Sequence, residues 1–145
     1  MTGPSCFVDT NVLVYAHDTH AGEKKARAET LLQDLWATNS GRLSTQVLQE
    51  LYVSITRKLA APVGHAKARE ILDSFGSWVR VPTTVGTVLR ASDLAELAKI
   101  SFWDALIVAA AEEAGASILY SEDLNDGQVL AGVKIVNPFK AGALA

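Results

Sequence analysis

Short apolar runs alternate along the chain with longer stretches in which apolar residues recur every three or four positions. Cys6, Phe7 and Val8 form such a run, ending at Asp9, and read as a buried strand. Thr10 and Asn11 follow where a helix could begin, leading into Val12 to Tyr15. Residues 23–37 read as an amphipathic helix with Ala28, Leu31, Leu32, Leu35 and Trp36 inward, stopped by Asn39, Ser40 and Gly41. A brief strand is expected over residues 42–44. Residues 46–59 carry Val47, Leu48, Leu51, Tyr52, Ile55 and Leu59 at helical spacing, punctuated by Pro62 and Gly64. Another helix is expected over residues 66–75, then a strand over 78–81 that Pro82 ends. Residues 84–98 and 101–114 are helical in pattern, the second capped by Gly115. Strands over 117–120 and 133–136 complete the reading, the last ended by Asn137 and Pro138.

Strands separated by helices indicate an α/β fold with a mainly parallel central sheet. The strand runs lack strict apolar–polar alternation, as expected of strands covered on both faces. In such open sheets ligands bind beyond the carboxyl ends of the strands, so polar residues at those ends carry most interest. At 145 residues the chain suits one domain, residues 1–145, with a folded core over about 5–139 and a short C-terminal tail. Apolar residues make up 49% and charged residues 20%, which excludes disordered and low-complexity classes.

Charge narrows the choice further. Thirteen Lys and Arg against sixteen Asp and Glu leave a net charge of −3, so this is not a general polyanion binder. A nucleic acid would need a local basic face or cations the protein recruits. The basic residues fall in scattered groups, Arg57 with Lys58 among them, and some could line a path for a phosphate backbone. The single cysteine, Cys6, rules out an internal disulfide and points to a reducing, cytoplasmic setting. The first residues lack the pattern of a signal peptide, and the longest apolar runs are too short to span a bilayer, so no membrane partner is expected.

Four acidic positions stand out, each with an ordinary alternative. Asp9 follows the first strand, where function sits, but would also cap the next helix. Asp104 lies in the first turn of a helix apolar almost all round, which predicts a buried carboxylate in need of donors or a cation. Ser101 and Asp104 also fit a capping box. Asp123 lies in the polar segment Ser121-Glu122-Asp123-Leu124-Asn125-Asp126-Gly127, which fits a solvated turn and fails the spacing of a calcium loop. Glu50 falls on a helical wheel beside Gln46, Val53 and Arg57, where a solvated ion pair with Arg57 is the plain expectation. Zinc-site, Walker and nucleophile-elbow motifs are absent.

The pieces FVDTN, STQVLQELY, SFWDALIVAAA and LYSEDLNDGQ, in this order and at these separations, resemble the PIN-domain ribonucleases, particularly toxins of the VapC type. The resemblance runs over nearly the whole chain. It implies a three-layer α/β/α fold and an acidic quartet at Asp9, Glu50, Asp104 and Asp123. It also implies supporting roles for Thr10, Asn11 and Ser121, with Asp126 an extra carboxylate close by. Homodimers and a cognate antitoxin that blocks the site are implied as well.

Converging carboxylates repel one another, and a hard divalent cation relieves that repulsion. All-oxygen ligands favour Mg²⁺ or Mn²⁺. The expected activity is therefore hydrolysis of RNA by metal-activated water, with Asp9, Asp104 and Glu50 holding the principal ion. Asp123 would bind a second ion or orient water, and Thr10 and Ser121 would contact water or phosphate. An aspartyl phosphatase is the rival enzyme, but it usually has a second Asp where this chain has Asn11. A receiver-like domain would need an acidic pair near the first strand, which is missing, and an inactive PIN-like binding module is the third alternative.

Overall fold

The computed structural model describes residues 4–140. The C-terminal tail expected beyond residue 139 therefore lies almost wholly outside the described residues.

Strand β1 (Cys6–Val8) is fully buried and sits inside a five-stranded sheet. It pairs in parallel with β2 (Gly41–Arg42) on one side and β3 (Ile118–Tyr120) on the other. Beyond β3 come β5 (Val133–Val136), parallel, and β4 (Val129–Leu130), antiparallel, giving the order β2-β1-β3-β5-β4. Between β1 and β2 run α1 (Thr10–Ala16) and α2 (Glu23–Thr38). Between β2 and β3 run α3 (Thr45–Val53), α4 (His65–Phe75), α5 (Val85–Ala98) and α6 (Phe102–Glu113). The chain thus steps outward from β1 to β2 and then crosses back to β3. That crossing makes the β1/β3 boundary the topological switch point, where a crevice opens at the carboxyl ends. Helices flank the sheet in the expected three-layer α/β/α arrangement.

The core joins Phe7 and Leu119 of the sheet to Leu13, Val47, Leu51 and Ile55 from the first helices and Val108 from α6. Two helix ends show why their sequences stop there. After α6, Gly115 takes φ 72°, and the amides of Gly115 and Ala116 bond back to the carbonyls of Glu112 and Ala111. After α2, Asn39 at φ 53° does the same with Trp36, and Ser40 with Leu35.

Four expectations need correction. The strand over 78–81 is a single parallel bridge between Leu43 and Val79, because a 3₁₀ turn occupies Gly76–Trp78 and Pro82 brings no N–H. The strand expected over 42–44 starts one residue earlier and ends at Arg42, and Ser44 stands at the N-cap position of α3 instead, without a side-chain cap bond. Trp36 is 42% exposed, its ring resting on Trp78 and Phe75 rather than sunk among them. The helix expected over 46–59 changes character at Ser54–Lys58, where the backbone widens into a π turn. Strand β4 was not foreseen.

Candidate active site

Parallel pairing of β1 with β3 places their carboxyl ends side by side, Val8 opposite Tyr120. The next residues, Asp9 and Ser121, therefore emerge together into the crevice. The Asp9 amide donates to the Tyr120 carbonyl at 2.9 Å, which fixes the register at the rim. Asp9 is 5% exposed and Ser121 is fully buried. Asp9 Oδ1 accepts from the Thr10 backbone N–H at 2.7 Å, and Oδ2 accepts from the Ser121 hydroxyl at 2.9 Å. Asp9 thus caps α1 and faces the crevice at once, so the two readings of this residue coexist.

Neighbouring elements bring in the other acids. Thr10 Oγ1 donates to Glu50 Oε1 at 2.7 Å, linking α1 to α3. Glu50 makes no ion pair with Arg57 among the described residues, contrary to the helical-wheel expectation; the Thr10 hydroxyl holds it instead. Asn11 Nδ2 donates to Asp123 Oδ2 at 3.0 Å. The Asp123 backbone N–H in turn donates to Ser121 Oγ at 3.2 Å. The Asp104 backbone N–H donates to Ser101 Oγ at 3.1 Å, a cap bond at the start of α6. Its carboxylate is half-buried rather than buried, and its neighbour Trp103 is 63% exposed, so the helix is not apolar on every side. Asp126 faces another way: it accepts from the Asn137 amide and from Lys140 Nζ, tying its loop to the C-terminal segment.

A cleft of about 430 Å³ opens over these groups. Asp9, Thr10, Asn11, Glu50 and Asp123 line it, together with Gln49, Val53, Ser54 and Lys58. Asp104 stands outside the lining but close enough for its charge to act on both Asp9 and Asp123. Burial pushes the Asp9 carboxyl up to about 6, overcoming the hydrogen bonds from Ser121 and Thr10, and the charges of Asp123 and Asp104 push the same way. Burial also raises Asp123, helped by the charges of Asp104, Glu122 and Glu50. Four acids from four places in the chain therefore feel one another. Among the described residues, no three His, Cys, Asp or Glu side chains stand close enough together to hold a metal ion as they are.

Two features of the site were not foreseen. Gln46, one turn before Glu50, donates its side-chain amide to the Trp103 carbonyl at 3.3 Å and so ties α3 to the start of α6 beside Asp104. Its position on the Glu50 face of the helix was the available signal. Glu122 is paired with Lys24 and accepts from the Tyr15 hydroxyl at 2.6 Å, which clamps the loop carrying Ser121 and Asp123 onto α1 and α2. Burial pushes Glu122 up, but Lys24 and Tyr15 together hold it below the usual carboxylate range.

A family model described as PIN domain matches residues 6–129 of the chain. Among solved structures, the chain is similar to VapBC2 from Rickettsia felis bound to a DNA fragment from their promoter. There the TM-score is 0.61 at 20% identity, covering 90% of this chain and 96% of that one. It is similar to VapC20 from Mycobacterium tuberculosis, a sarcin-ricin loop cleaving toxin, with TM-score 0.59, 24% identity and coverage of 82% and 90%. It is also similar to DNA-bound VapBC from Salmonella typhimurium, with TM-score 0.59, 17% identity and coverage of 92% and 97%. No curated protein sequence matches it. At these identities the likeness is one of fold.

Proposed function

This chain belongs to the PIN-domain family, and from that premise we propose that it is a Mg²⁺- or Mn²⁺-dependent endoribonuclease, the toxin of a VapBC-type pair. The observation that carries the reading is the buried Asp9, raised to about 6 among the acids Asp104 and Asp123 at the switch point of the sheet. A carboxylate so placed is costly without a cation. The donor set is all oxygen, which fits a hard divalent ion and not zinc. Asp9, Asp104 and Glu50 would hold that ion, with Asp123 serving a second ion or a water. Such an ion supplies Lewis acidity at phosphate and lowers the pKa of water.

The chain's own groups do the positioning. Thr10 fixes two acids at once, its amide on Asp9 and its hydroxyl on Glu50. Ser121 holds the second oxygen of Asp9, and Asn11 holds Asp123. These bonds hold Asp9, Glu50 and Asp123 at one cleft, and the acids must draw closer together to share an ion. Asp126, tied to Asn137 and Lys140, keeps to its loop in this reading.

Partners follow from the surface. An apolar groove of about 470 Å³, lined by Leu48, Tyr52, Val53 and Leu72, adjoins the acidic cleft and shares Gln49 and Val53 with it. A hydrophobic segment of an antitoxin seated there would lie within reach of the carboxylates. Val85, Val88, Leu89 and Leu97 leave an exposed apolar face on α5, which suits a homodimer. No helix among the described residues is long and apolar enough to cross a membrane. The buried thiol of Cys6 suits a cytoplasmic setting.

Purified protein incubated with labelled RNA is the test. Cleavage should require Mg²⁺ or Mn²⁺, stop on adding a chelator, and be lost in Asp9→Asn and Asp104→Asn with the fold intact. Metal-dependent RNA binding without cleavage would favour a binding module. A persistent acyl-phosphate on Asp9 would favour a phosphatase.

A further inference from the structure

Among the described residues, Lys58 is the only basic one lining the acidic cleft. It shares that cleft with Asp9, Glu50 and Asp123, yet it lies beyond ion-pair reach of all three. Several other cations of the chain sit on acids of their own, Lys24 on Glu122, Lys25 on Glu29 and Arg90 on Glu112, and those without an ion pair other than Lys58 lie outside the cleft. Among the described residues Lys58 thus has no ion-pair partner, at the mouth of an otherwise anionic site.

Its position depends on the π turn at Ser54–Lys58. In an uninterrupted α-helix, at about 100° per residue, Arg57 would stand within about 20° of the Glu50 direction and Lys58 about 80° round the axis. A π turn closes i to i+5 and advances only about 80–85° per residue. Over five residues it winds the chain back by roughly a quarter turn, swinging Arg57 away and bringing Lys58 into line with Glu50. The lining agrees, since Glu50, Ser54 and Lys58 face the cleft and Arg57 does not. The turn is also anchored: the Ile55 carbonyl accepts from the Val63 amide at 2.8 Å, and Leu59 leaves in extended geometry. π turns in helices are found frequently at functional sites.

A lysine ammonium is a compact point charge with three donors, suited to a phosphate oxygen. Beyond the carboxylates, it can meet an anion without neutralising them. We propose that Lys58, turned into the cleft by the π turn, binds a backbone phosphate of the RNA strand lying there. The inference rests on the ribonuclease reading above and adds the protein's own contribution to gripping the strand.

The test uses the full-length chain and a labelled single-stranded RNA of mixed sequence. Binding is measured with Ca²⁺ present to hold back turnover, and cleavage with Mg²⁺ or Mn²⁺. Lys58→Gln should raise Kd and KM about three- to tenfold and flatten the dependence of log affinity on log salt by about 0.7. Lys58→Arg should keep most of the affinity, and Arg57→Gln should stay within about twofold of wild type. Mn²⁺ affinity and the thermal midpoint of Lys58→Gln should match wild type. If wild type cuts RNA while Lys58→Gln binds it like Arg57→Gln, or with an unchanged salt slope, the inference is overturned alone. A wild type that neither binds nor cuts RNA overturns the ribonuclease reading and this inference with it.

Discussion

Asp9 holds its carboxyl where ionisation is disfavoured, titrating near 6 in the fold against an ordinary 3.8. Between those values the folded chain binds more protons than the unfolded chain. Stability therefore falls as pH rises from about 4 to 6 and stays lower above that window, by an order of about 3 kcal/mol at neutral pH. Asp9→Asn removes the charge while keeping an acceptor for one of its two donors. Metal-free Asp9→Asn should be more stable than wild type by about 1–2 kcal/mol near pH 7 and lose that advantage near pH 4, as thermal melts would show. Its RNA cleavage should fall by about 10³ or more, since a cation's share of transition-state stabilisation is several kcal/mol. Ser121→Ala leaves Asp9 Oδ2 without its donor. It should cost about 1–3 kcal/mol and move the acid limb of the cleavage–pH profile upward, because the lost bond favoured the charged form. Asp9 stood out from its place after a strand, and Ser121 only through the family resemblance. The clamp on Glu122 was not: Lys24 and Tyr15 lie 98 and 107 residues away, and only the fold brings them together.

Elements were legible where periodicity ran long. Helices α2 to α6 and strands β1 and β5 lie close to where the apolar pattern puts them, because each buries a continuous stripe. The misses involve short pieces governed by backbone geometry. Residues 78–81 have apolar β-formers but only Val79 finds a partner strand. A helical wheel assumes one residue spacing throughout, so it paired Glu50 with Arg57 and could not see the π turn. The β4–β5 hairpin turns through Ala131 at φ 51° and Gly132 at φ 77°, a type I′ geometry that favours Asn-Gly. Ala-Gly hides that turn from a reader of the sequence. Ala131 is strained there, so Ala131→Asn should stabilise the protein by about 0.5–1 kcal/mol, measured by denaturant unfolding with an unchanged m-value.

At the scale of the molecule, a chain of net charge −3 gathers its acids at one end of a parallel sheet. The family and the layered fold were legible because four motifs keep their order along almost the entire chain. What the motifs could not convey is how closely the acids approach: Asp9, Glu50 and Asp123 share a cleft, Asp104 acts on Asp9 and Asp123 from beside it, and Asp126 points elsewhere. A cation that binds only the folded state should raise the thermal midpoint with concentration, contributing about 2.7 kcal/mol at a hundred times its Kd. Asp9→Asn should lose most of that response to Mn²⁺ in the same thermal titration.

The shared site is tested most directly by the anomalous signal of a crystal soaked in Mn²⁺. A shared metal site should give a peak between the Asp9 and Asp104 carboxylates, with Glu50 or Asp123 drawn toward it. Manganese bound only elsewhere on the protein, with those two acids left apart, would contradict it.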